Sequence, residues 1–312
     1  MVRIKFNQKL FDKHIEKITI NIKNNIELID TDTLEIKTKE CLEHLSNQKE
    51  IENILKANSF QLQLYIEFFK QNYPNSIGIA NQKEKDWLEL YRILRNDIFE
   101  KEYNNWGRRQ GKKSYGAYKF VDTLKLKTCP YCNRNYTFIV DNDNGKLRPE
   151  IDHFYPKSIY PFLAMSFFNL IPSCSICNHT KSSKVKENLL NPYDIKEDSF
   201  KFTYIPNNVE FTVVEKEKYN FDSFEIELKG NKSNIELFKL KELYKQHKDI
   251  VLELLIKKAY YPQSYIDELS NFGFSQDEIY RFLFCNYNKD EDLHKRPLSK
   301  LIKDISIELE LV

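Results

Sequence analysis

The sequence predicts an α+β protein: a mainly helical chain with a central core of short strands and one helix, framed by cysteine pairs. Three observations predict it. Apolar residues recur at three- and four-residue intervals up to about residue 105, and again from about residue 234. Between these regions the pattern turns to short β-branched and aromatic runs. Two cysteine pairs of identical spacing, "CPYC" and "CSIC", stand in the middle of the chain. The expected division is a helical N-terminal region (1–105), a core (106–195) and a β-then-helical C-terminal region (196–312).

The first region reads mostly as helix. "LIDTDTLEIKTKECLEHLSNQKEIENILK" has helical apolar spacing, with Ser46 and Asn47 available for a break. "SFQLQLYIEFFKQNY" is a second apolar face, ended by Pro74. In "QKEKDWLELYRILRNDIFEKEY", Trp87, Leu88, Leu90, Tyr91 and Leu94 recur as a core-facing stripe. Trp87, His14, His44 and Cys41 all read as core rather than as ligands.

The next stretch, "NNWGRRQGKKSYGAYKF", holds three of the seven glycines among basic and aromatic residues. It lacks the strand and the Gly-Lys-Ser/Thr ending of a phosphate loop. It reads as a linker, and contact with nucleic acid through Arg108, Arg109, Lys112 and Lys113 is its other reading. "YTFIV" then predicts a strand, Asn144-Gly145 a tight turn, and "KLRPEIDHF" a returning strand. After Pro192, "SFKFTYI", "VEFTVVEKE" and "SFEIELKG" read as strands, and the remainder as helix.

Composition bounds the function. Hydrophobic residues make up 41% of 312, with 22 Phe and 19 Tyr, enough for a buried core. No run approaches 18 uncharged apolar residues, so no membrane span is expected. The charged N-terminus has no apolar signal core, and a cytoplasmic location is expected. Net charge is only +2, yet Lys101 to Leu190 holds fifteen basic and seven acidic residues. That window carries +8 against −6 elsewhere, a distribution suited to a polyanionic partner. A lysine-rich solvated surface would give the same count, so the charge supports a site without locating one.

The cysteines locate one. Cys129 with Cys132, and Cys174 with Cys177, have the spacing at which two thiolates of a knuckle face one ion, and two knuckles complete a tetrahedral zinc site. Without a secretion signal, disulfides are disfavoured. Cys285 reads as a buried thiol. The 41 residues between the pairs must then form a substructure. They carry Asp152-His153 and Asn169, and Asn178, His179 and Lys181 follow directly. Two strands joined by an excursion, with a helix after Cys177 packed on them, would bring Asp152 and Asn178 together. A carboxylate and an amide oxygen suit Mg²⁺ or Mn²⁺ and leave positions for water and phosphate. His153, facing away from Asp152 on a strand, would serve as general base. Asn169 would pin the backbone around it. Lys181, Lys184 and Lys157 would meet phosphates.

The order "CPYC", "DHFYPKS", "FFNLIPSC", "CSICNHTK" resembles the HNH endonucleases, the zinc-stabilised branch of the ββα-metal (His-Me finger) nucleases. The resemblance covers about residues 127–195. It implies Asp152 as first metal ligand, His153 as general base, Asn169 as the central Asn and Asn178 at the third position. Many members have His at that third position, and His179, one residue on, is the alternative ligand. A narrower likeness takes in "CPYCNRNYTF", "DHFYPKSIYPFLAMSFFNLIPSC", "NPY" and "KRPLSKLIKDI". These look like the PtuB-type HNH nucleases of Septu and retron antiphage systems. That likeness implies a nuclease effector acting on nucleic acid, DNA in preference to RNA, with a PtuA-like ATPase partner. A zinc-knuckle nucleic-acid-binding or adaptor protein without catalysis is the alternative; it has no need for Asp-His followed by two Asn at these intervals.

Overall fold

The computed structural model describes residues 1–108, 114–142, 145–207, 221–261 and 263–311. Two compact units make up the chain, and they cut it differently from the three sequence segments. One joins Lys5–Leu126 to Phe138–Val185; the other joins Met1–Ile4, Lys127–Thr137 and Lys186–Val312.

The first unit opens with α1 (Gln8–Glu27), whose N-terminus is capped by Asn7 Oδ1 accepting from the Leu10 N–H at 3.0 Å. Its buried stripe runs Leu10, His14, Ile15, Ile18, Ile22 and Ile26. The expected break after Ser46 occurs: α2 (Ile36–Ser46) and α3 (Gln48–Lys56) meet at Asn47, whose side chain caps the second helix. A capping box from Asn58 and Gln61 starts α4 (Ser59–Asn72), and Pro74 follows its end. The third apolar stretch is less regular than its pattern suggests. A short α5 (Glu89–Arg92) widens into π-helical winding over Ile93–Phe99, then tightens into α6 (Glu100–Arg108). α7 (Ala117–Leu124) ends at Lys125 in the left-handed region, φ 53°.

The core of this unit is aromatic. Phe69 stacks on Phe162 at 3.9 Å, and Trp106, Phe120 and Phe167 pack around His14. The imidazole of His14 lies 2.7 Å from both the Tyr115 hydroxyl and the Met165 carbonyl, as expected for a core residue.

Three strand segments differ from the expected hairpin. β1 (Val140–Asn142) and β2 (Gly145–Leu147) pair over three residues only and are exposed. Asn144 of the expected turn lies outside the described residues. The returning run does not stay on β1, because Pro149 supplies no N–H to a ladder. A new strand, β3 (Glu150–His153), pairs instead with β4 (Leu170–Ser173), in a register that sets Asp152 opposite Ile171 and His153 opposite Leu170. α8 (Ser175–Lys181) follows β4 directly and packs against β3. The expected two strands, excursion and helix are therefore present, although the helix begins before Cys177.

In the second unit, β5 (Phe200–Pro206) and β6 (Phe224–Gly230) form an antiparallel pair over seven residues. The expected strand "VEFTVVEKE" lies outside the described residues. Helices α9 (Lys232–Leu237), α10 (Leu240–Tyr244), α11 (Lys248–Tyr260), α12 (Gln263–Asn271), α13 (Gln276–Phe284) and α14 (Ser299–Glu308) complete it. Cys285, expected to be buried, is exposed, because the chain turns out of α13 there with φ 50°. Among the described residues no helix is long and apolar enough to cross a membrane.

Candidate active site

Each cysteine pair is shaped by its own surroundings. At the first, Asn133 adopts φ 51°, and its N–H returns to the Cys129 carbonyl at 2.7 Å. The Arg134 N–H points at Cys132 Sγ, 3.4 Å away, and the Tyr244 hydroxyl donates to the Cys132 carbonyl at 2.6 Å. Asn133 also ties this turn to the "KRPLSKL" segment. Its Nδ2 donates to the Leu293 carbonyl at 3.0 Å, and its Oδ1 accepts from the Ser299 hydroxyl and the Lys300 N–H, each at 3.1 Å. The second pair lies at the start of α8: Cys174 is its N-cap residue and Cys177 sits in its first turns.

The ligand sulfurs of Cys129, Cys132, Cys174 and Cys177 lie within 4.8 Å of one another, and all four residues are buried. Four soft sulfur donors at this spacing suit a tetrahedral zinc ion. Such an ion would be structural, since four protein ligands leave no open position.

Asp152 and His153, adjacent on β3, are both buried. His153 Nε2 lies 3.0 Å from the Ala164 carbonyl, which can only accept. The proton therefore belongs on Nε2, and Nδ1 carries the lone pair. Burial, reinforced by the Lys157 and Lys181 charges, pushes the imidazole pKa down to about 3. His153 is thus a neutral base at physiological pH. Tyr103 packs edge-on against it, with ring centroids 4.5 Å apart.

Asn169 holds the excursion between β3 and β4. Its Oδ1 accepts from the Tyr155 N–H at 2.7 Å, and its Nδ2 donates to the carbonyls of Tyr155 and Leu163 at 3.0 and 2.8 Å. Leu163 adjoins Ala164, so these bonds also fix the carbonyl that orients His153.

Lys181 departs from expectation. Expected on a phosphate, it is fully buried, with its ammonium 3.1 Å from Asp152 Oδ1 and 2.5 Å from the His153 carbonyl. It lies four residues after Cys177 on α8, on the helix face that packs inward. Asn178 is half-buried, and its Nδ2 donates to Glu150 Oε2 at 2.6 Å. That bond leaves the amide oxygen as the end not engaged with Glu150. His179, the alternative ligand, is exposed and 3.6 Å from Glu150 Oε1. Asp152, His153, Asn178 and His179 all border one open cleft of about 610 Å³.

The expected phosphate contacts divide. Lys157 borders the cleft, ion-paired with Glu100. Lys184 is exposed, its ammonium bonded to the Thr180 carbonyl at 2.9 Å. Arg108 is exposed, while Arg109, Lys112 and Lys113 lie outside the described residues. The sequence reading missed Glu150, although its place two residues before Asp152 puts both on one strand face. It also took Trp87 for core. The indole is half-buried and borders the cleft, with Tyr91, Arg95 and Tyr103 beside it. Only long-range packing brings those four to β3.

The chain is similar to a Septu protein. Over 66 residues, 20% of its length, it is 44% identical to Septu protein PtuB of Bacillus thuringiensis, and the match spans 23% of that protein. No family model and no solved structure matches the chain.

Proposed function

We propose that the chain is a metal-dependent HNH endonuclease that hydrolyses phosphodiester bonds, of DNA in preference to RNA. The observation that carries this reading is the buried His153, neutral and oriented through Nε2 by the Ala164 carbonyl, beside Asp152 in an open cleft. Asp152 and the amide oxygen of Asn178 would hold a divalent ion. A carboxylate and an amide are hard donors, and Mg²⁺ or Mn²⁺ keeps several waters on so few protein ligands. Such an ion would neutralise charge on the phosphoryl group and the departing oxygen.

His153 Nδ1 takes a proton from a water molecule as its oxygen bonds to phosphorus in line. The bond to the 3′ oxygen breaks, and that oxygen takes a proton from solvent. The products are a 5′ phosphate and a 3′ hydroxyl. Asn169 keeps the imidazole aimed. Lys181 stays in the interior and steadies Asp152 and the His153 carbonyl.

The similarity to Septu protein PtuB supports a role as nuclease effector of an antiphage defence system, with a PtuA-like ATPase as partner. One observation favours the non-catalytic alternative: Asp152 is already paired with Lys181, as a purely structural carboxylate would be. Plasmid cleavage separates the two. Wild type, with and without the ATPase, should cut in Mg²⁺ or Mn²⁺ and stop in EDTA. His153→Ala and Asp152→Ala should remain folded, Asp152→Ala with a lower melting temperature because the buried Lys181 ammonium loses its carboxylate, and both should lose about 10²- to 10⁴-fold in rate. A wild-type protein inert on DNA and RNA in every combination overturns the nuclease reading.

A further inference from the structure

Hydrolysis as derived from His153 and Asp152 uses one side of the cleft. The other side is built from the 78–103 stretch and has a composition of its own. Trp87 stands edge-on to Tyr91, ring centroids 5.3 Å apart at 81°, with the Arg95 guanidinium carbon 4.3 Å from its ring centre. The Tyr91 hydroxyl donates to the Ser158 carbonyl and accepts from Arg95 Nη1, each at 2.8 Å. Gly78 permits this closeness: a Cβ there would come within 2.5 Å of both the Ser158 carbonyl and the Tyr91 ring. Arg95 Nε lies 2.7 Å from Glu100 Oε2, and the other Glu100 oxygen takes the Lys157 ammonium. Two cations thus share one carboxylate at the cleft wall, which leaves an excess positive charge there.

Fixed cations beside the half-buried indole of Trp87 match the two parts of a nucleotide. Aromatic rings stack on any base, and a guanidinium and an ammonium take the phosphate. Because Arg95 and Lys157 are already braced on Glu100, little side-chain freedom is lost when an anion binds. Bases within a duplex are stacked on one another and have no free face to offer. We infer that this wall is a subsite for an unpaired nucleotide, whose base stacks on Trp87 and whose phosphodiester sits on Arg95 and Lys157. The preferred substrate is then single-stranded or frayed nucleic acid. The inference deepens the nuclease reading and rests on it for the cleavage of the bound strand.

Binding is measured on the full-length protein in EDTA, where no cutting occurs. Labelled oligothymidine and oligouridine of about 12 nucleotides are compared with a blunt hairpin duplex by anisotropy. Trp87 and the buried Trp106 are the chain's two tryptophans, so single strands should quench fluorescence through Trp87. Both single strands should bind at least about 10-fold tighter than the duplex. Trp87→Phe keeps a stacking face and should bind nearly as wild type. Trp87→Leu keeps apolar bulk without that face and should lose about 5- to 100-fold on single strands. Arg95→Gln should flatten the salt dependence of single-strand binding by about one phosphate contact. Equal affinity for duplex and single strand, or wild-type single-strand affinity in Trp87→Leu, overturns the inference. A wild type that binds single strands yet never cuts leaves the subsite standing and removes the nuclease reading alone.

Discussion

Lys181 Nζ lies 3.1 Å from Asp152 Oδ1, and the two side chains are only 1% and 3% exposed. A buried pair holds because each charge answers the other, so removing one partner is costly. Lys181→Met takes the ammonium away from the Asp152 carboxylate and the His153 carbonyl. Urea unfolding should register a loss of about 3 kcal/mol. Mg²⁺ should return part of that stability if Asp152 accepts the ion in place of the ammonium; no response to Mg²⁺ would argue against Asp152 as a ligand.

Asn169→Leu tests the brace on the excursion. It leaves the Tyr155 N–H and the carbonyls of Tyr155 and Leu163 without their partner, at a cost of about 2–4 kcal/mol. Cleavage should fall more steeply than stability at temperatures where the variant is folded, since the Ala164 carbonyl loses its anchor. Equal cleavage by folded variant and wild type would remove Asn169 from the positioning role.

Cys174→Ser should lower the melting temperature markedly and reduce bound zinc measured by mass spectrometry, because a structural zinc site contributes folding free energy directly. A strong chelator should do the same to wild type. A variant that melts like wild type with its zinc intact would refute the four-sulfur assignment.

Acid should destabilise the fold through His14. Burial lowers its pKa to about 4, against 6.5 as the ordinary value. The neutral ring donates from Nε2 to the Met165 carbonyl and accepts at Nδ1 from the Tyr115 hydroxyl. The unfolded chain takes up a proton below pH 6.5 that the native protein refuses. Stability from this group is therefore complete above pH 6.5 and declines as pH falls toward 4, by about 3 kcal/mol in all. His14→Gln should remove this share of the acid sensitivity, read as a shallower fall in unfolding free energy between pH 7 and 5.

The helices were legible in the sequence where local chemistry decides them. Asn47 and Asn58 cap the helices they precede, and Pro74 follows an end. The cysteine spacing foretold the four-sulfur cluster, and Asp152-His153 fell on a strand with a helix behind it. The errors arose where distant packing decides. Nothing in "CNHTK" says that Lys181 turns inward; its burial comes from sharing the inner face of a seven-residue helix with Cys177. Helical periodicity put Trp87 in the core, yet α5 starts only at Glu89, so the stripe did not extend back to it. Pro149 was visible, but its consequence, a strand change from β2 to β3, needed β4 as the competing partner.

The wide turn at Ile93–Phe99 sets the phase of everything after it. Arg95 and Glu100 are five residues apart, a separation that ordinary helical winding turns to different sides. Here the Glu100 N–H closes on the Arg95 carbonyl, and the two side chains meet at 2.7 Å. The segment behaves like a gear with one extra tooth: deleting a single residue would let the coil tighten, swing the guanidinium off its carboxylate, and carry Tyr103 out of step with His153.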